Sequence, residues 1–217
     1  MADRRRLVGV LCAAVLALAA CGGDEPQTTA ATADSPVAGG ERVLAGIVRE
    51  PAPSVDATAV PSLTHPGTDV VFRGEPGGYQ AVYFGYTNCP DVCPTTMADW
   101  TVALRRLPAD VADRIHTVMV TVDPERDNEL LTGYVQSFVP DAEAAGTLDG
   151  DVLAAAAEPF GASYSVTTGD DGQIEVTHSG FLYLVDDQGK LLVTWPFGIS
   201  SKDMAADVEQ LVDEATT

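Results

Sequence analysis

The strongest constraint on folding is an apolar run that ends just before a cysteine pair. Gln80-Ala-Val-Tyr-Phe-Gly-Tyr86 is nearly continuous in apolar character. Such a run suits a central strand buried on both faces, which needs covering layers on either side. The residues after it turn helical. Met97, Trp100, Leu104 and Leu107 recur at helical spacing over 95–107, with Arg105 and Arg106 in the last turn and Pro108 as the stop. His116-Thr-Val-Met-Val-Thr-Val122 reads as a second buried strand.

Asp123-Pro124 then predicts another helix, with Asp123 as N-cap and Pro124 at the first helical position. Its apolar face is Leu130, Leu131, Tyr134, Val135 and Phe138. A shorter helix is expected over 151–158. Strands follow over 173–177 and 180–186, and Asp187-Gln-Gly-Lys190 turns the chain into a strand over 191–195. A last helix over 201–213 buries Met204, Val208, Leu211 and Val212. Strands alternating with helices, then a hairpin and a helix, predict an α/β sandwich with a central mixed sheet flanked by helices. Residues 41–75 hold only short strand-like pieces.

The N-terminus carries an address. Arg4, Arg5 and Arg6 precede an apolar stretch from Leu7 to Ala20, too short for a comfortable membrane span. Leu18-Ala-Ala-Cys21 resembles the bacterial lipobox, in which the thiol is acylated and the chain is cut before it. Residues 1–21 are therefore expected to be a lipoprotein signal peptide with Cys21 as the lipidated residue. Residues 22–40, rich in Gly, Thr, Ala, Asp and Pro, read as a flexible tether, and 41–217 as one domain.

Among the 217 residues, 32 acidic side chains face 12 basic ones. That balance argues against nucleic acid, whose phosphates need a basic face. Removing the leader takes away three arginines and one aspartate, so the mature chain is still more acidic. Anionic lipid would repel it, and acyl chains would have to hold it at the membrane.

Cys12 leaves with the leader and Cys21 takes the lipid, so the domain keeps only Cys89 and Cys93. Two thiols in Cys89-Pro-Asp-Val-Cys93-Pro94 look like one site, not a disulfide framework. They follow the first buried strand and precede a helix, where backbone N–H groups and the helix dipole favour thiolate over thiol. Pro94 disfavours helical geometry at Cys93, which would place the helix start after it. His178 ends the segment Ile174-Glu-Val-Thr177. Strand ends and helix starts gather along one edge of such sheets, so His178 can face the thiols. Two thiolates and an imidazole suit Cu(I), and tolerate Cu(II) with a weak fourth ligand. On spacing alone the pair is as readily a redox dithiol as a metal site, and a histidine at a strand end is by default structural. His65 and His116 read as structural, as do Asp91 and the tyrosines Tyr86, Tyr134 and Tyr183.

Three stretches together resemble the Sco/SenC family. These are Phe84-Gly-Tyr-Thr-Asn-Cys-Pro-Asp-Val-Cys-Pro-Thr-Thr-Met97, Val122-Asp-Pro-Glu-Arg-Asp127 and Thr177-His-Ser-Gly-Phe-Leu-Tyr-Leu-Val-Asp186, in family order. The similarity spans about residues 43–213. It implies a thioredoxin-like, peroxiredoxin-related sandwich. It also implies a metal site of Cys89, Cys93 and His178 loaded with copper, and Asp123 as an acid that tunes the ligands or eases release. The implied role is delivery of copper to the binuclear site on the copper-bearing subunit of cytochrome c oxidase, from the outer face of the bacterial cytoplasmic membrane. Some family members instead reduce their target's cysteines, which leaves thiol–disulfide oxidoreductase as the alternative. Either role requires an extracytoplasmic thiol reductant, because oxidised cysteines cannot hold copper. Thioredoxin-like redox enzymes usually carry a cis-proline facing the dithiol. Here Thr177 is followed by His178, which favours the metal carrier. Residues 63–71 depart from the family, having lost much of the usual hairpin pattern.

Overall fold

The structure is a computed structural model that describes residues 42–215. Cys21, the leader and the tether lie outside the described residues.

The elements in order are β1 (Val60–Pro61), β2 (Asp69–Val70), β3 (Tyr79–Gly85), α1 (Val92–Arg106), α2 (Ala109–Ala112), β4 (Ile115–Thr121), α3 (Pro124–Asp127), α4 (Leu131–Gln136), β5 (Glu143–Ala145), α5 (Gly150–Ala157), β6 (Tyr164–Thr168), β7 (Ile174–His178), β8 (Leu182–Val185), β9 (Leu191–Trp195) and α6 (Ser201–Ala215). The main sheet has the order β5-β4-β3-β8-β9. The strand β3 pairs parallel with β4 and antiparallel with β8, so the sheet is mixed as expected.

Every residue of β3 is buried, as its unbroken apolar character predicts. Successive side chains point to opposite faces. Phe84 meets Phe160 and Tyr183 in edge-on ring contacts on one face. Tyr83 points to the other face, toward α1. There Trp100 of α1 stacks near Trp195 at 5.8 Å between ring centroids, and its indole N–H donates to Thr117 Oγ1. The helices α1 and α6 pack against each other on this side. Burial of these aromatic side chains on both faces is the main stabilising term.

Four expectations need correction. The first helix starts at Val92, not 95, and takes in Cys93 and Pro94. The N–H groups of a first helical turn have no helical partner, so proline there removes nothing. The helix after Asp123 is broken into α3 and α4, and Leu130, expected inside, is 57% exposed at the break. Residues 63–71 do sit in a hairpin, with Ser62 to Thr68 linking the two-residue strands β1 and β2. Finally, β7 does not join the main sheet. It pairs with β6, a strand the pattern does not reveal, as a separate ribbon. Most β6 residues are exposed, so no apolar alternation marks it.

A buried carboxylate ties the start of the domain to its last helix. Asp207 of α6 is fully buried. It accepts hydrogen bonds from the Arg42 guanidinium, the Ala45 and Gly46 amides and the Trp195 indole N–H. Replacing it leaves those donors stranded, a loss of about 3 kcal/mol. Asp207→Ala should therefore unfold at distinctly lower urea concentration and expose 42–50 to proteolysis. An unchanged midpoint would contradict this role.

Candidate metal centre

The loop after β3 carries Cys89, and Cys93 stands in the first turn of α1. Asp91 is the N-cap residue by position, yet its side chain makes no capping bond. The Cys89 sulfur accepts from the Cys93 amide instead, at 3.3 Å. The pair is thus held by the helix start itself. Both thiols are free and buried.

His178 reaches them from the end of β7. Its Nε2 lies 3.3 Å from Cys93 Sγ and 3.8 Å from Cys89 Sγ. Its Nδ1 accepts from the Gly180 amide at 3.2 Å, which in the neutral ring leaves the proton on Nε2, facing the sulfurs. Tyr83 and Tyr86 flank the imidazole edge-on, with centroids 6.0 and 5.6 Å away. Gly180 has φ +61, a left-handed conformation that glycine adopts without strain. A side chain there would meet Val92 Cγ1 at 2.9 Å.

The ligand atoms of Cys89, Cys93 and His178 all lie within 4.8 Å of one another. Two sulfurs and one imidazole nitrogen are a soft donor set of the kind that selects copper over harder cations. Among the described residues, no fourth metal-binding side chain joins them.

Electrostatics partly reverse the sequence expectation. Burial pushes the Cys93 thiol up to about 12, against a smaller downward pull from the Tyr86 amide. The metal-free protein therefore keeps Cys93 protonated, because desolvation outweighs the helix start. Burial also lowers His178, so its ring is neutral at neutral pH. Metal binding would therefore displace a proton from Cys93, whereas His178 already carries the neutral ring that a ligand needs.

Residues 63–213 match the SCO1/SenC family. The chain belongs to that family. It is 32% identical over 131 residues to the SCO2-like protein of Rickettsia typhi, covering 59% of this chain and 64% of that one. It spans less than two thirds of the length of the curated relatives it matches first. The copper-bound ScoI of Bradyrhizobium japonicum is 26% identical with a TM-score of 0.59, covering 70% of this chain and 96% of that one. The apo Sco1 of Thermus thermophilus is 26% identical with a TM-score of 0.61, covering 82% and 98%. These likenesses establish the thioredoxin-like α/β sandwich.

In this Sco/SenC protein Asp123 stands apart from the three-residue cluster. It is 3% exposed, makes no side-chain cap, and binds the Arg126 guanidinium. The Arg126 charge in turn acts on Tyr86, which lies against His178. His65 and His116 stay outside the cluster, and His116 Nε2 meets Glu143 at 3.3 Å.

Two functional positions escape sequence reasoning. Asp127, fully buried, accepts from the Thr87 amide at 2.9 Å, from Thr87 Oγ1 and from Thr121 Oγ1 at 2.8 Å. It fastens the loop that carries Cys89 to the end of β4. Its sequence signal is its place at the end of the family-like stretch Val122-Asp-Pro-Glu-Arg-Asp127, which says nothing of this contact. Gly85 is the second. A Cβ there would lie 2.7 Å from Tyr83 Cε1 and 3.0 Å from both Cys93 Sγ and Met119 Cε. The missing side chain is what lets Cys93 lie against β3.

Gly85→Ala should consequently cost about 1–3 kcal/mol in urea unfolding through overpacking. Gly133→Ala supplies the comparison, because nothing lies within 4 Å of a Cβ there. That change should be neutral or stabilising by up to about 1 kcal/mol. Equal effects at the two positions would contradict the close approach.

Proposed function

We propose that this protein is a copper metallochaperone. It binds one copper through the Cys89 and Cys93 thiolates and the His178 imidazole and delivers it to the binuclear copper site of cytochrome c oxidase. The observation that carries this reading is the convergence of three soft ligand atoms within 4.8 Å at the edge of the sheet. The family resemblance supplies the recipient. Cu(I) is the form that matches two thiolates and one imidazole, and Cu(II) would need a weak fourth ligand. Lipidation at Cys21 would tether the domain through 22–40 to the outer face of the bacterial cytoplasmic membrane. No helix of the described residues is long and apolar enough to cross a membrane.

A second reading is favoured by the free, neighbouring thiols. Cys89 and Cys93 can form and release a disulfide, which would make the protein a thiol–disulfide oxidoreductase. An extracytoplasmic thiol reductant is required in both cases.

The two readings part at His178. Reduced protein should hold about one copper per chain by metal analysis. His178→Ala should hold little and still reduce a disulfide substrate. Cys89→Ser and Cys93→Ser should lose both properties. Full copper binding by His178→Ala would sink the carrier reading.

Loading must also expel protons. Burial pushes the Cys93 thiol up to about 12, so a metal binding there would have to displace its proton. The apparent Cu(I) affinity should therefore rise at least about tenfold per pH unit between pH 6 and 8, in competition with a pH-corrected chelator. A flat profile would show that Cys93 is not a ligand.

A further inference from the structure

Burying a hydroxyl without a partner costs free energy, so native proteins hold few. Tyr83 Oη, Thr96 Oγ1 and Tyr134 Oη are among the buried hydroxyls without a hydrogen-bond partner in the described residues. Tyr83 is fully buried and Thr96 is 8% exposed. The Tyr83 ring edge and Cys93 Sγ share the space left by Gly85. Its hydroxyl lies beside the Cys93 thiol and the Thr96 hydroxyl, without the geometry of a hydrogen bond to either. The site thus holds hydroxyl donors without a partner beside a ligand sulfur. A thiol is a poor acceptor, whereas a thiolate is a good one.

We infer that Tyr83, seconded by Thr96, is a positioning residue that donates a hydrogen bond to the Cys93 sulfur once that sulfur becomes a metal-bound thiolate. The inference rests on the copper-site reading and adds what holds the charged form of a buried ligand. Loading removes the thiol proton to solvent, and the tyrosine keeps its own. The donor that is unsatisfied in the empty protein becomes satisfied in the loaded one. Hydrogen bonds of this kind orient ligands and withdraw electron density from a coordinating sulfur.

Tyr83→Phe keeps the ring and removes only the donor. The metal-free variant should melt at the wild-type temperature or slightly above, since an unpaired hydroxyl has gone. Its Cu(I) affinity should fall about tenfold, as for loss of a hydrogen bond to a charged group, and the gain in melting temperature on copper loading should shrink. The sulfur-to-Cu(II) absorption should move to lower energy, because the sulfur is no longer polarised. Tyr183→Phe is the control. It removes an unpaired hydroxyl on the opposite face of the sheet and should leave affinity and spectrum at wild-type values. A Tyr83→Phe protein with wild-type affinity and an unshifted band overturns the inference while leaving the metal site intact. Failure of the wild-type protein to bind copper overturns both.

Discussion

The whole arrangement depends on the antiparallel pairing of β3 with β8. In that register Tyr83 lies opposite Leu182. The chain leaving β3 at Gly85 and the chain entering β8 at Leu182 therefore meet at one edge of the sheet. Cys89 follows the first and His178 precedes the second, which is why residues 89 positions apart in sequence come within 3.8 Å. The parallel partner β4 ends at the same edge and brings Asp123 and Asp127 with it. One hydrogen-bonded register thus assembles the sulfurs, the imidazole and the acids behind them.

That edge is unusually dry for a site that must carry charge. Cys93 and Asp127 are fully buried, and Asp123 nearly so. The two acids are matched, Asp127 by hydroxyl and amide donors and Asp123 by a guanidinium. A buried charge is tolerable only with such partners. Cys93 has only the Tyr86 amide and the His178 ring beside it, and burial outweighs them, pushing its thiol up. A soft cation that replaces the proton restores the balance, and nearby hydroxyl donors can complete it. Burial here serves selectivity, because it penalises the empty thiolate and rewards the metal-bound one.

The loop between β3 and α1 is held from both ends. Asp127 grips Thr87 before the first cysteine, and the helix start grips Cys89 through the Cys93 amide. The imidazole, by contrast, stands on a ribbon of two strands that, among the described residues, pairs with no other strand. Two of the cluster's side chains thus stand on a loop fastened at both ends and the third on a separate two-stranded ribbon.

Much of this was legible in the residues. The unbroken apolar runs at 80–86 and 116–122 could only be buried central strands, and 191–195 and 201–213 carried their own periodicity and turn chemistry. The cysteine spacing marked a single site, and three ordered motifs identified the family. The ribbon β6–β7 was not legible as a unit, because neither of its faces is buried enough to leave an apolar pattern. The protonation of Cys93 was misread for a related reason. A helix start is visible in sequence, but the depth at which a sulfur lies behind Tyr83 and Met119 is not. Local sequence determined which segments must be strands or helices and which side chains could bind a metal, since periodicity and donor chemistry are properties of neighbours along the chain. Tertiary structure alone decided that His178 faces the thiols, that Asp127 holds their loop and that Gly85 makes room for them. Those are distances between remote residues, and they exist only once the strands have chosen their partners.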